Sequence, residues 1–301
     1  DSIQRYVHKG RIHSEINQLR SDQGGTVSGR LSYSNPNLQQ IPARNKEYGN
    51  KIRSLFLPEE GRQWGSFDYS QQEPRIVAHY AASTNNEFSG SKEFIEAYKN
   101  ESADFHQIVA DMAQITRGQA KTINLGLFYG MGKAKLAKEL GISKDRAEQL
   151  LLKYGERVPF VKQLATEVSN SASKYGFIRT IRGRKCRFDM WEPSTFGMNK
   201  AMQYEEAKAV YGNNIRRAFT YKALNRLIQG SAADQTKQAM IECYKAGYNP
   251  LLQIHDELCF SIDKEEDIKN VKEIMENAIG DFKVPSKVDI ALGRSWGEAK
   301  E

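Results

Sequence analysis

The chain has 301 residues, of which 44 are Lys or Arg and 37 are Asp or Glu, leaving a formal net charge of +7. Hydrophobic residues make up 39% and charged residues 27%, a balance ordinary for a chain that buries a core and one that excludes wholesale disorder. No run approaches the roughly 18 apolar residues of a membrane span, and the opening DSIQRYVHKG lacks the pattern of a signal peptide, so the expectation is a soluble intracellular protein. Cys186, Cys243 and Cys259 are far apart and show no CxxC or Cys/His spacing, which argues for reduced thiols and against a zinc site. An opening Asp in place of Met suggests a fragment or a processed product.

In chain order, the first 60 residues are rich in Asn, Gln, Ser and Arg, carry turn signals, and end in the apolar run IRSLFLP; they read as an irregular, polar segment. QWGSFDYSQQEPRIVAHYAAS then predicts a short aromatic strand reaching Asp68, a turn, and a helix begun near Pro74. From about residue 92 to 173 apolar residues recur at helical spacing, predicting an all-helical subdomain. GFIRTIRGRKCRF alternates apolar and basic residues about Arg182 and Gly183, as a basic β-hairpin does. Helices are expected again from about 199 to 246. A second hairpin follows in LLQIHDELCFSID about His255 and Asp256, then an amphipathic helix and a closing strand, KVDIALGRSW. With no repeat and no linker, the pattern predicts an α+β architecture in which the helical stretch is inserted between two parts of a sheet-containing domain.

Two carboxylates stand out. Asp68 ends an aromatic strand and Asp256 lies at the tip of a hairpin with apolar flanks. Burying a carboxylate is costly unless it is paired or binds a metal. With no Cys or His cluster, oxygen ligands favour Mg²⁺ or Mn²⁺; the plainer alternative is that each Asp caps a turn. In RGQAKTINLGLFYG, Arg117, Lys121, Leu125 and Tyr129 recur every four residues and share one helical face. That order suits a phosphate chain followed by a sugar and base, although a solvated face above a core aromatic fits the spacing as well. Gly118, Gly126, Gly130 and Gly132 each cost about 1 kcal/mol in a helix relative to Ala, which points to close approach there.

DYSQQEPR (68 to 75), RGQAKTINLGLFYGMG (117 to 132) and QIHDEL (253 to 258) resemble, in order and character, the three polymerase motifs of family A DNA polymerases. SGRLSYSNPNLQQIP (28 to 42) and NRLIQGSAAD (225 to 234) add to the match, which runs from about residue 8 to the last residue. The resemblance implies a right-hand polymerase fold: an antiparallel-sheet palm bearing both aspartates, with all-helical fingers inserted in it. Residues 1–91 would form the N-terminal palm portion with the thumb base, 92–175 the fingers and 176–301 the C-terminal palm portion. The activity implied is template-directed addition of dNTPs to a primer 3′-hydroxyl with release of pyrophosphate. The alternatives are a single-subunit RNA polymerase-like enzyme, a catalytically idle DNA-binding subunit, or a two-metal nuclease, which leaves the Arg117 to Tyr129 stripe without a purpose.

By the same resemblance, Asp68 and Asp256, with the backbone carbonyl of Tyr69, hold two Mg²⁺ ions, for which Mn²⁺ can substitute. Glu257 is an auxiliary near the metals or a solvated neighbour. His106, Arg117 and Lys121 contact the triphosphate, and Lys121 is the candidate to protonate the leaving pyrophosphate. Glu73 and Tyr129 close over the sugar C2′ and exclude a ribonucleotide hydroxyl, Gln71 belongs to the same pocket wall, and Leu125 faces the nascent pair. Arg30, Asn37, Gln40, Gln229 and His255 lie along the primer-template minor groove, where acceptors are common to every correct pair. Arg182, Arg184, Lys185 and Arg187 of the basic hairpin suit phosphate contact or, as plain charge, protect an edge strand from aggregation.

The sequence departs from the family pattern at Leu125, where an aromatic is usual, and at Gln72 and Pro74, where apolar residues are common. A proline in a first helical turn costs little, since its missing N–H would be unpaired there. The connection from His106 to Arg117 is short, which suggests trimmed fingers. The thumb and the 3′–5′ exonuclease domain are expected to be largely absent, lying on an N-terminal segment or another chain. The compartment implied is a bacterial or phage-infected cytoplasm or an organelle, with no membrane and no secretion.

Overall fold

A computed structural model describes residues 3–21, 24–42, 46–83, 88, 91–99, 104–128, 131–195 and 200–300. The strands, in chain order, are β1 (Val7–His8), β2 (Arg11–Ile12), β3 (Glu15–Asn17), β4 (Ser32–Ser34), β5 (Gln63–Tyr69), β6 (Phe177–Arg179), β7 (Lys185–Arg187), β8 (Trp191–Pro193), β9 (Ile215–Arg217), β10 (Leu252–Ile254), β11 (Glu257–Ile262) and β12 (Val288–Gly293). The helices are α1 (Lys46–Arg53), α2 (Gln72–Ser83), α3 (Ser91–Lys99), α4 (Phe105–Ala113), α5 (Arg117–Phe128), α6 (Lys133–Leu140), α7 (Lys144–Arg157), α8 (Pro159–Tyr175), α9 (Tyr204–Tyr211), α10 (Ala223–Lys245) and α11 (Glu265–Glu276). The chain divides into two compact units, one of residues 1–72 with 232–301 and one of residues 73–231.

The first unit is built on a four-stranded sheet in the order β10-β11-β5-β12, antiparallel throughout. Alternation along β5 sends Phe67 and Tyr69 to one face, where they meet Leu258, Phe260, Ile262 and Val288 of the neighbouring strands and Val271 and Met275 of α11. Trp64 goes to the opposite face and packs with Cys259, Leu31, Tyr33 and Trp296. Both faces of β5 are therefore covered, and Gly65 is needed at its centre. A Cβ there would lie 2.7 Å from Ile262 Cγ1 and 2.8 Å from the Phe67 ring.

The second unit is mainly helical. Phe94 is its aromatic hub, with Tyr98, Phe105 and Phe160 ring centroids at 5.1, 4.9 and 4.7 Å. Ser143 caps α7, Pro159 opens α8 in the first turn, where its missing N–H costs nothing, and Gly176 closes α8 in the left-handed region. The hairpin β6-β7 forms about Arg182 and Gly183 as its alternation predicts.

Two expectations need correction. The first 60 residues hold the ribbons β1-β2 and β3-β4 and helix α1, which the sequence conceals because strands of two or three residues are too short to show a period. The stretch from 199 to 246 is not continuously helical: Gly212 ends α9, and Ile215–Arg217 pairs with Trp191–Pro193. The three cysteines are free and buried. Among the described residues, no helix is long and apolar enough to cross a membrane.

Candidate active site

Strand register assembles the acidic cluster. Asp68 is the partner of Glu257 on β11 and of Asp289 on β12, so three acidic residues form one row across the sheet on the face opposite Phe67. Like charges set directly opposite are destabilising. Asp256 joins the row through the turn from β10 to β11, whose first residue, His255, takes φ +56, the left-handed conformation a non-glycine residue seldom adopts. The Asp256 carbonyl accepts the Tyr69 N–H at 3.3 Å, which fastens this turn to the end of β5. The Tyr69 hydroxyl donates to the Met275 carbonyl at 2.6 Å, and the ring is buried.

Burial, and after it the Asp256 charge, push the Asp68 carboxyl up to about 7, against the pull of Lys300. Among the described residues its Oδ1 is buried with no hydrogen-bond partner. Glu257 is more enclosed than Asp68, its side chain 7% exposed against 43%, with Lys300 Nζ at 3.1 Å; Lys300 stands 3.7 Å from Asp68 Oδ2. The Cys259 thiol donates to Glu257 Oε1 at 3.4 Å. Burial alone would lower the Lys300 pKa, but Glu257, then Asp68, hold it above its ordinary value. An orphaned buried oxygen between repelling carboxylates is a place for a cation, so these residues fit a divalent ion. Among the described residues, no cluster of three or more His, Cys, Asp or Glu would hold a metal by itself, the usual situation for Mg²⁺, which takes one or two carboxylates and leaves the rest to water and substrate phosphates. Glu257 is thus no solvated neighbour. Lys300 and Asp289 carried no signal in the sequence, although the alternation of VDIALG could have put Asp289 on the carboxylate face.

Arg30, Gln253 and His255 line one small cleft with Thr236 and Lys237 of α10. The Gln253 amide donates to the His255 carbonyl at 2.6 Å and accepts from Gln39 Nε2 at 3.4 Å. Burial and then the Arg30 charge lower the His255 pKa. Asn37 and Gln40 line a separate cleft of about 600 Å³ with Tyr6, Tyr33 and Asn35, and Asn37 Oδ1 accepts the Gln39 N–H. Gln71 has φ +51 at the turn between β5 and α2. The Gln72 departure has a local account: its buried Nε2 lies 3.0 to 3.3 Å from Thr236 Oγ1, Gln235 Oε1 and the Ala232 carbonyl. Pro74 falls in the first turn of α2, where it is tolerated.

In the second unit, Glu73 lies in the first turn of α2. Asp104 caps α4 by accepting the N–H groups of His106 and Gln107. It also accepts Arg117 Nε at 2.8 Å, an ion pair that ties the start of α5 to the start of α4. Burial pushes Asp104 up, but the Arg117 hydrogen bond, then the backbone of Gln107 and His106, hold it below its ordinary value. His106 is pushed down, first by burial; Asp104 opposes this, and the charges of Arg117 and Lys121 add to it. The structure thereby groups His106, Arg117 and Lys121. Tyr129 lies outside the described residues, and Leu125 is described only by its place on α5.

Arg184 Nη2 donates to the Gly230 carbonyl at 3.0 Å, so this arginine braces its own unit, whereas Arg182, Lys185 and Arg187 are exposed. Gln229 is half-buried on α10, one residue before Gly230.

The model of DNA polymerase family A matches residues 1–298. The chain is 36% identical, over 99% of its length, to "DNA-directed DNA polymerase" of Pseudomonas phage M6, of which it covers 48%. It is 34% identical over its full length to "DNA polymerase I, thermostable" of Thermus filiformis, of which it covers 34%. The fold aligns with a TM-score of 0.79 and 33% identity to the POL domain of Pol1 from M. smegmatis, solved in complex with DNA primer-template and dNTP; the match covers all of this chain and 51% of that one. The expected α+β polymerase fold therefore stands, and the chain spans about half or less of the length of the relatives it matches.

Proposed function

Given that the chain belongs to DNA polymerase family A, we propose that it adds deoxynucleotides to a primer 3′-hydroxyl, directed by a template, and releases pyrophosphate. The observation that carries this reading is the seating of Asp68 beside Asp256, with a buried oxygen that no group among the described residues satisfies. Asp68, Asp256 and the Tyr69 carbonyl would hold two Mg²⁺ ions, or Mn²⁺ in their stead. When bound, such ions supply Lewis-acid charge that activates the hydroxyl and neutralises the triphosphate. Glu257 stays close by as the partner of Lys300.

Arg117, Lys121 and His106 bind the triphosphate in this reading. Arg117 is oriented by Asp104, and Lys121, exposed on the same helix, supplies the proton for the leaving pyrophosphate. In this reading Gln71, Glu73, Leu125 and Tyr129 serve the sugar and base of the incoming nucleotide, with Glu73 rejecting a 2′-hydroxyl. Arg30, Asn37, Gln40, Gln229 and His255 follow the duplex minor groove, and Arg184 lies with the phosphate-contacting hairpin. We assign residues 1–91 and 176–301 to the palm and 92–175 to the fingers. An exonuclease or thumb segment, in the same protein or on another chain, would add grip on DNA. A bacterial, phage-infected or organellar interior is the compartment we assign to the chain.

Primer extension by the 301-residue chain with Mg²⁺, at low and moderate salt, tests the reading. Templated extension with dNTPs and little with rNTPs is expected. Asp68→Ala or Asp256→Ala should lower the extension rate by roughly a thousandfold, the equivalent of about 4 kcal/mol, while DNA binding persists. Undiminished extension in either variant would remove the two-metal assignment.

A further inference from the structure

Two buried side chains stand behind His106 and have no part in the proposed chemistry. Tyr154 of α7 and Asn124 of α5 are both almost wholly buried. The Tyr154 hydroxyl donates to Asn124 Oδ1 at 2.6 Å, and Asn124 Nδ2 lies 3.2 Å from His106 Nδ1. Burial drives the Tyr154 pKa far above its ordinary value, so its proton stays in place.

Neither end of this chain is free to reverse. An amide turned over would offer Nδ2 to the hydroxyl and Oδ1 to the imidazole. The Tyr154 proton would then need another acceptor, and among the described residues Asn124 Oδ1 is the acceptor it has. A buried donor left without an acceptor disfavours that arrangement by roughly tenfold or more. With Oδ1 held by the tyrosine, Nδ2 faces His106 as a donor, and Nδ1 must accept. A neutral imidazole has one accepting and one donating nitrogen, so its proton is left on Nε2.

We propose that Tyr154, acting through Asn124, is a positioning residue that holds His106 in the neutral tautomer protonated on Nε2, as a hydrogen-bond donor to a phosphate oxygen of the incoming nucleotide. The phosphate contact rests on the polymerase reading; the tautomer does not. The groups that face His106 are Asp104 and Phe105 at the start of its own helix, and Arg117, Lys121 and Asn124 of α5. Arg117 and Lys121 oppose a third positive charge, and Asp104, which among the described residues favours it, is already engaged by Arg117. His106 then contributes a directed donor without adding to the cationic hold on the departing pyrophosphate.

Long-range ¹H–¹⁵N correlation spectra of the full chain, labelled at histidine and assigned by the loss of one ring in a His106→Gln sample, read the tautomer directly. The wild-type ring should carry its proton on Nε2 and titrate below the ordinary histidine value, and addition of a dNTP should move the Nε2 signals. Tyr154→Phe frees the amide to turn, so a mixture of tautomers should appear and the midpoint should rise by about one pH unit, a tenfold easier protonation. A wild-type ring protonated on Nδ1, or a Tyr154→Phe titration that overlays the wild type, would overturn the lock. The wild-type spectrum alone decides the tautomer if the variant does not fold. An Nε2 resonance indifferent to dNTP would remove the phosphate contact while leaving the polymerase reading to the extension assay.

Discussion

Glu257 is buried, and the cation beside it is Lys300, 3.1 Å away in a single 3-10 turn at Glu298–Lys300. Removing the ammonium would leave a desolvated carboxylate next to Asp68, Asp256 and Asp289. Both the burial of the carboxylate and the partial exposure of the lysine enter the cost, which we set at about 1–2 kcal/mol once solvent screening is discounted. Lys300→Met should therefore lower the urea midpoint of the chain in EDTA, with Lys300→Arg close to wild type, and Mn²⁺ should narrow the deficit by supplying the missing charge. Equal midpoints for Lys300→Met and wild type in EDTA would show that the ion pair contributes nothing. Asp68 and Asp256 were legible in the sequence because each sits at the end of an apolar segment, where a carboxylate needs a reason. Lys300 was not, because what makes it matter is a contact between the chain's far end and the middle of a sheet, and no local pattern encodes that. His106 was singled out only by its resemblance to a motif, and its partners Asn124 and Tyr154 lie on other helices.

At the scale of elements, sequence and structure agree on the paired strands β5 and β11. The aromatic run QWGSFDY and the hairpin pattern of LLQIHDELCFSID set Asp68 at a strand end and Asp256 in the turn, and the structure buries both faces of β5 and β11. The ribbons β1-β2, β3-β4 and β8-β9 were missed, since pairs of two or three residues carry too little period to detect. Gly65 shows what the central strand requires. A methyl group at that position would meet Ile262 and Phe67 at distances real Cβ atoms do not sustain, and with β5 held by β11 and β12 on either side those two side chains have to move. Gly65→Ala should destabilise the chain by about 2–3 kcal/mol through overpacking, the upper part of the usual range. Urea unfolding checks this as a lower midpoint with the slope unchanged. A midpoint equal to wild type would mean that Ile262 and Phe67 yield freely and that the sheet is less tightly packed than its geometry indicates.

At the scale of the whole molecule, an excess of seven positive charges over 301 residues is too small to specify a nucleic-acid partner, and the distribution of charge matters more than its sum. The hairpin β6-β7 concentrates it. Arg182, Lys185 and Arg187 project to solvent, while Arg184 turns inward to the Gly230 carbonyl. If the exposed three bind DNA phosphates, their contribution is independent of sequence and falls with salt, each phosphate contact adding about 0.9 to the slope of log K against log salt concentration. Replacing all three by Gln should reduce that slope by about 2 to 3 without changing preference among template sequences. Arg184→Gln should behave differently: the Gly230 carbonyl keeps its intrahelical donor within α10 but loses the charged second donor, lowering stability by about 1 kcal/mol with no change in the salt slope. Fluorescence anisotropy of a labelled primer-template, titrated at several salt concentrations, separates the two behaviours. A slope unchanged in the triple variant would assign the hairpin's charge to keeping its edges from pairing with other chains, the alternative that its alternating basic pattern allows.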